Sequence, residues 1–145
     1  MADPARPGQL RATNALPDAA DDLGGGAFAD YIGLRHQGAG VTTLKVRSDL
    51  LNGMGRLLGP VGFALVDYSM AFALWEYRNP GEVLATVSVA LNFVQSVTDG
   101  EVVCTSTVDR RNRYAAVLSS RVVHEDGRLL ITAVGSFTIH QPKER

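Results

Sequence analysis

Two features of one stretch could do chemistry together. Asp67 stands in the middle of the run Val61-Gly-Phe-Ala-Leu-Val-Asp-Tyr-Ser-Met-Ala-Phe-Ala-Leu-Trp75, and Gly59-Pro60 comes immediately before that run. Proline suits the first helical position, because its missing N–H would be unpaired there and its φ is already set. The helix is therefore expected to begin at Pro60 or Val61. Backbone N–H groups at such a start have no acceptor within the helix and, with the helix dipole, favour developing negative charge. The N–H of Gly59 is thus a candidate oxyanion donor. Asp67, two turns on, is a carboxylate among Leu65, Val66, Tyr68 and Met70, where desolvation without a partner would be costly. One reading makes it a structural carboxylate that caps a loop or sits at a partly solvated interface. The other makes it the base or nucleophile of a hydrolysis, and the donors around Gly59 favour that one.

The elements that must position these groups can be read from the chain on either side. Val61 to Trp75 is apolar on every face, which predicts a helix wrapped by other structure, and it is too short and too interrupted for a membrane span. Before it, Ala27 to Leu34 reads as a short helix leading into a strand, Gly38-Ala-Gly40 as a turn, and Val41 to Val46 as a strand. After it, Arg78-Asn79-Pro80-Gly81 is a stop and turn signal. Four β-rich runs follow, Val83–Val94, Val102–Val108, Tyr114–His124 and Leu129–His140, joined by short polar loops such as Thr98-Asp99-Gly100. Strands, one long helix, then four strands predict an α+β domain in which an antiparallel sheet is wrapped around one long central helix.

The 145 residues, 46% of them hydrophobic, suffice for one domain with a real core. Residues 1–26 mix acids, prolines and the run Gly24-Gly25-Gly26 without the apolar core of a secretory signal, and read as a flexible leader before a domain at 27–145. A formal charge of −1 gives no general attraction to nucleic acid or to an anionic membrane. The single cysteine, Cys104, excludes an internal disulfide and fits a reducing cytoplasm, and its setting among Val102, Val103 and Thr105 is that of a buried strand thiol. His36, His124 and His140 lack metal-ligand spacing, so no metal is expected. Ser69 and Ser119 lack a nucleophile elbow, and no glycine-rich dinucleotide fingerprint is present. No cofactor is expected.

The stretch Asn52-Gly-Met-Gly55-Arg-Leu-Leu58-Gly59-Pro60 with Asp67, followed by Thr86-Val87-Ser-Val-Ala-Leu-Asn-Phe93 and Gly127-Arg-Leu-Leu-Ile-Thr-Ala-Val-Gly-Ser-Phe137, resembles the PaaI-like acyl-CoA thioesterases of the hotdog fold. The resemblance runs from about Phe28 to Ile139. It implies hydrolysis of an acyl- or aryl-CoA to free acid and coenzyme A, with Asp67 as general base or nucleophile and the Gly59 N–H on the thioester carbonyl. It further implies that Asn52 orients water or carbonyl and that Thr86 supplies a strand hydroxyl from the facing subunit. The site would be shared across a homodimer, often doubled to a dimer of dimers. A thiolate leaves with a pKa near that of cysteine, about 8.5, so one carboxylate and an oxyanion site can suffice.

Two positions depart from the family pattern. Leu58 replaces its histidine and would make the acyl pocket more apolar, and Pro60 replaces its second glycine and removes one oxyanion donor. A non-catalytic acyl-CoA binding or regulatory protein is the alternative these changes leave open. Asn52 also has a plain role as a turn cap, and Thr86 as an ordinary strand residue. Asn112 would serve a hairpin turn needing positive φ. Its neighbours Arg111 and Arg113 read either as a solvated tip or as ligands for coenzyme A phosphates.

Overall fold

The computed structural model describes residues 24–143. The expected leader at 1–26 lies outside the described residues but for its last three. Helix α1 (Gly26–Ile32) ends in a left-handed glycine, Gly33, whose N–H returns to the carbonyls of Ala29 and Asp30. Strands β1 (Arg35–Gly38) and β2 (Val41–Lys45) form a hairpin, and a single 3₁₀ turn at Ser48–Leu50 leads into the loop before helix α2 (Gly59–Trp75). The helix begins one residue earlier than expected, at Gly59, with Leu58 extended at φ −57° and ψ 131° before it and Pro60 in its first turn. Four strands complete the chain: β3 (Val83–Phe93), β4 (Glu101–Arg111), β5 (Ala115–His124) and β6 (Leu129–His140).

These strands make one antiparallel six-stranded sheet in the order β1-β2-β4-β5-β6-β3. Residues alternate along β5 and, from Ile131 onward, along β6: Ala116, Leu118, Ser120 and Val122 face inward from one strand, and Ala133, Gly135, Phe137 and Ile139 from the other. That inner face closes on Leu65, Val66, Met70 and Leu74 of α2, all at most 1% exposed. The sheet curls round the helix as the hotdog resemblance implies, and β4 runs further than expected, to Arg111.

The helix is not covered on every side. Pro60, Phe63, Ala64, Asp67 and Ala71 retain partial or full exposure, and their spacing of three and four residues puts them on one stripe. The stripe runs beside β3, whose outer edge pairs with no strand among the described residues. A helix apolar all round is thus buried by its own sheet on all but the one stripe that carries its carboxylate.

Candidate active site

Asp67 and Thr86 meet within one chain. The Thr86 hydroxyl donates to Asp67 Oδ1 at 2.8 Å, so the hydroxyl expected from a facing subunit lies on the carboxylate of its own chain. A bulge in β3 aims it there. Thr86 pairs with the inward Phe137, whereas Ser88 pairs with Ser136 on the outer face, where the two hydroxyls lie 3.0 Å apart. Val87 is the extra residue between them and is 65% exposed. Without it, Thr86 and Ser88 would share a face, since residues two apart in a regular strand do. With it, Thr86 turns to the helix and Ser88 away. The bond occupies one carboxylate oxygen and leaves Oδ2 with no donor among the described residues.

The loop before α2 presents the other candidate. Asn52 holds it by four bonds: its Oδ1 accepts the N–H groups of Met54 at 2.9 Å and Arg56 at 3.1 Å, its carbonyl accepts the N–H of Gly55 at 2.9 Å, and its own N–H donates to the Arg56 carbonyl at 2.7 Å. The turn-cap role of Asn52 is therefore visible in the structure. Gly55 sits at φ +71° to close this turn. Leu57 and Leu58 then donate to the carbonyls of Val97 and Leu50, which fixes the chain where it enters the helix. Among the described residues nothing accepts the N–H of Gly59, as its place in the first turn requires.

Gly59 borders a cleft of about 690 Å³. The floor is apolar, built from Leu57, Leu65, Phe93, Val97, Leu130 and Ile131, with Asn52 and Leu58 also in its wall. Phe93 lies closest to the helix start, with its ring within 3.7 Å of where a Gly59 Cβ would stand and within 3.4 Å of one on Gly62. A side chain at Gly62 would also press on Ile131 at 2.9 Å, so the small residue lets helix and sheet close behind the cleft. Pro60 lies instead on the open helical stripe.

One chain does not bring the two chemical candidates together. Gly59 and Asp67 are separated by about 12 Å along the helix axis, at 1.5 Å per residue, and Asp67 is not in the cleft wall. The spacing that suggests a shared role in the sequence separates the groups by more than the length of a thioester.

Arg111, Asn112 and Arg113 lie at the β4–β5 hairpin and do not line the cleft. Arg111 forms an ion pair with Glu82, which is only 3% exposed. Burial alone would raise the Glu82 pKa, but the Asn79 backbone N–H at 2.9 Å and side-chain donors from Asn79, Arg111 and Gln141 hold it down, to about 2. Asn112 does not adopt positive φ; its Oδ1 accepts the N–H groups of Tyr114 at 2.8 Å and Ala115 at 2.9 Å, a side-chain turn that needs no left-handed backbone. Arg113 lies over the ring of Tyr114. Sequence reasoning missed Glu82: following Pro80-Gly81, it has the local pattern of a solvated turn acid, and beyond the nearby Asn79 its partners, Arg111 and Gln141, come from two distant segments. Among the described residues no group of three or more His, Cys, Asp or Glu is placed to hold a metal ion, and no helix is long and apolar enough to cross a membrane.

If Thr86 orients Asp67 for catalysis, Thr86→Val should lower turnover about tenfold or more, the scale of one lost charge-assisted hydrogen bond. Thermal melting should be little changed, because the site is half open. Steady-state thiol release and a melting curve on the same sample check both halves.

Comparison with known proteins agrees with this fold. The family model of the thioesterase superfamily matches residues 54–131, from the loop that presents Gly59 to the inward face of β6. A thioesterase from Haemophilus influenzae superposes with a TM-score of 0.78 at 18% identity, over 83% of this chain and 87% of that one. A conserved protein from Pseudomonas aeruginosa, 27% identical, gives 0.72 over 79% and 94% of the two chains. A Bacillus halodurans protein crystallised with coenzyme A gives 0.74 at 15% identity, over 78% and 75%. No curated protein sequence matches the chain. With its central helix and sheet arranged as in these structures and more than half its length matched by the family model, the chain belongs to the thioesterase superfamily.

Proposed function

We propose that the protein is an acyl-CoA thioesterase whose active site is completed by a second copy of the chain. The observation that carries this reading is the bound and oriented carboxylate, Thr86–Asp67, on an otherwise apolar open stripe beside an unpaired strand edge. Coenzyme A as the carrier is supported by superfamily membership and by the Bacillus halodurans protein that holds it.

The edge gives the dimer a register. An exposed 11-residue edge strand is a template for pairing, and Val83, Val87 and Phe93 along it are 39%, 65% and 58% exposed. Two β3 strands paired antiparallel about a twofold axis at Ala90, with the bulged Thr86-Val87 counted as one position, place Phe93 opposite Thr86 of the partner subunit. Phe93 adjoins Gly59, and Thr86 adjoins Asp67. The same pairing therefore brings the oxyanion donor of one chain toward the carboxylate of the other, which the 12 Å helical separation, about two turns, forbids within one chain. The outer sheet face, with Val117 and Val134 exposed, is then available for a dimer of dimers.

In this arrangement Asp67 Oδ2 takes a proton from a water while the water oxygen attacks the thioester carbon. The tetrahedral oxyanion is received by the Gly59 N–H from the other chain. Its collapse breaks the C–S bond, releasing the acid and a thiolate that needs no acid partner to leave. Leu58 and Phe93 make the wall beside the reacting carbon apolar. Thiol release from a panel of short, medium, long and aryl acyl-CoAs tests the reading: a marked preference for one class supports it, and no release across the panel above buffer rates contradicts it.

A further inference from the structure

Resting on the coenzyme A reading, we infer that Arg56 and Arg128, on the rim of the cleft, hold the phosphates of the nucleotide end of the substrate. Both side chains are exposed, and both line the same cleft as Gly59. No aspartate or glutamate lines it, and Asp126 reaches Arg128 from outside the lining, so Arg56 supplies the uncompensated charge of the rim above an apolar floor. Each arginine is set in place by its surroundings. The backbone of Arg56 is pinned by Asn52, which accepts its N–H and donates to its carbonyl, while its guanidinium has no partner among the described residues. Arg128 donates from Nε to Asp126 Oδ2 at 2.8 Å, and its Nη1 points to the Ser96 carbonyl at 3.5 Å. Those contacts orient the fork and leave Nη2 for a ligand.

The position of the charges selects the anion. Guanidinium groups left in water at a rim suit a strongly hydrated polyanion that stays wet, whereas a carboxylate at the end of a buried acyl chain would need a buried cation. The ligand that fits is amphipathic, with an apolar arm on the floor and phosphates at the mouth. Arg111 is a poorer phosphate ligand, because its guanidinium faces the buried carboxylate of Glu82.

Calorimetric titration of the full chain with coenzyme A and with pantetheine, which shares the thiol arm and lacks the phosphates, tests this without requiring turnover. Wild type should bind coenzyme A at least about tenfold more tightly than pantetheine. Arg56→Gln and Arg128→Gln should each weaken coenzyme A about two- to fivefold, the upper part of the range for exposed charge pairs, and leave pantetheine unchanged. Equal wild-type affinity for the two ligands overturns the inference, as do variants that keep coenzyme A affinity or lose both ligands equally. A loss seen only in Arg113→Gln would move the phosphates to the hairpin, and a loss confined to acyl-CoAs with a carboxyl on the acyl group would put an acyl carboxylate at the rim; either overturns it. The expected binding pattern in a protein that releases no thiol would instead defeat only the thioesterase reading.

Discussion

Replacing Asp67 with asparagine is expected to lower thiol release from the preferred acyl-CoA by about a hundred- to ten-thousand-fold, the range for loss of a positioned base. The substitution keeps the side-chain shape and the acceptor for the Thr86 hydroxyl, so the local structure has little reason to change. What disappears is the capacity of Oδ2 to take a proton from water. The loss should fall on kcat, with KM nearly constant, since a half-open carboxylate contributes little to ground-state binding. A rate within a few-fold of wild type would return Asp67 to the structural reading, a carboxylate tolerated at an interface. It would also favour a binding or regulatory protein over an enzyme.

Arg111→Met is expected to cost about 3–5 kcal/mol of folding stability, the usual penalty for breaking a buried pair from one side. Glu82 would keep its charge and the donors from Asn79 and Gln141 but lose its only cation among the described residues. Glu82 joins the start of β3, the end of β4 and the segment after β6 through these bonds, so the damage should spread along the sheet end. The pH dependence has a definite sign. A carboxylate held at about 2, down from 4.5, contributes stability that is full above the unfolded value and is lost as pH falls through the folded one. Wild type should therefore lose this contribution between about pH 5 and pH 2, and the variant should begin to lose it at higher pH. Urea midpoints measured from neutral to acid pH check both statements. An unchanged midpoint with a raised KM for acyl-CoA would show that Arg111 serves substrate rather than fold.

The elements were legible in the sequence because each is announced locally. Pro60 marks a helix start within one residue, the glycines at 38 and 40 mark a hairpin, and Leu129–His140 alternates from Ile131 onward. Asp67 stood out by contrast with its neighbours, and Gly59 by its place before a helix. The rest depended on pairings between distant segments. The bulge at Val87 has no local signature, yet it decides that Thr86 faces the carboxylate and Ser88 does not. Glu82 and Arg111 look like surface charges until the sheet end closes over them. Asn52 and Asn112 were rightly suspected of turn roles, but Asn112 fulfils its role through side-chain acceptance rather than positive φ. The distance between Gly59 and Asp67 follows from helix geometry alone, and it turns a single-chain constellation into an argument for two chains.

The claim that one site draws Gly59 and Asp67 from different chains is tested most directly by mixing two inactive variants. Asp67→Asn removes the base. Gly59→Pro removes the N–H while keeping a backbone that accepts proline, since the residue is in the first helical turn, Leu58 before it is extended, and the nearest side chain to a new Cβ is 3.7 Å away. In a mixed dimer with a shared site, one centre carries both changes and the other carries neither. Thiol release after the two variants are unfolded, mixed in equal amounts and refolded should recover to roughly a quarter of wild type, because half the dimers are mixed and each has one intact centre. Recovery to that level is the predicted result. A mixture no more active than its parents, from preparations that refold to dimers, would contradict the shared site.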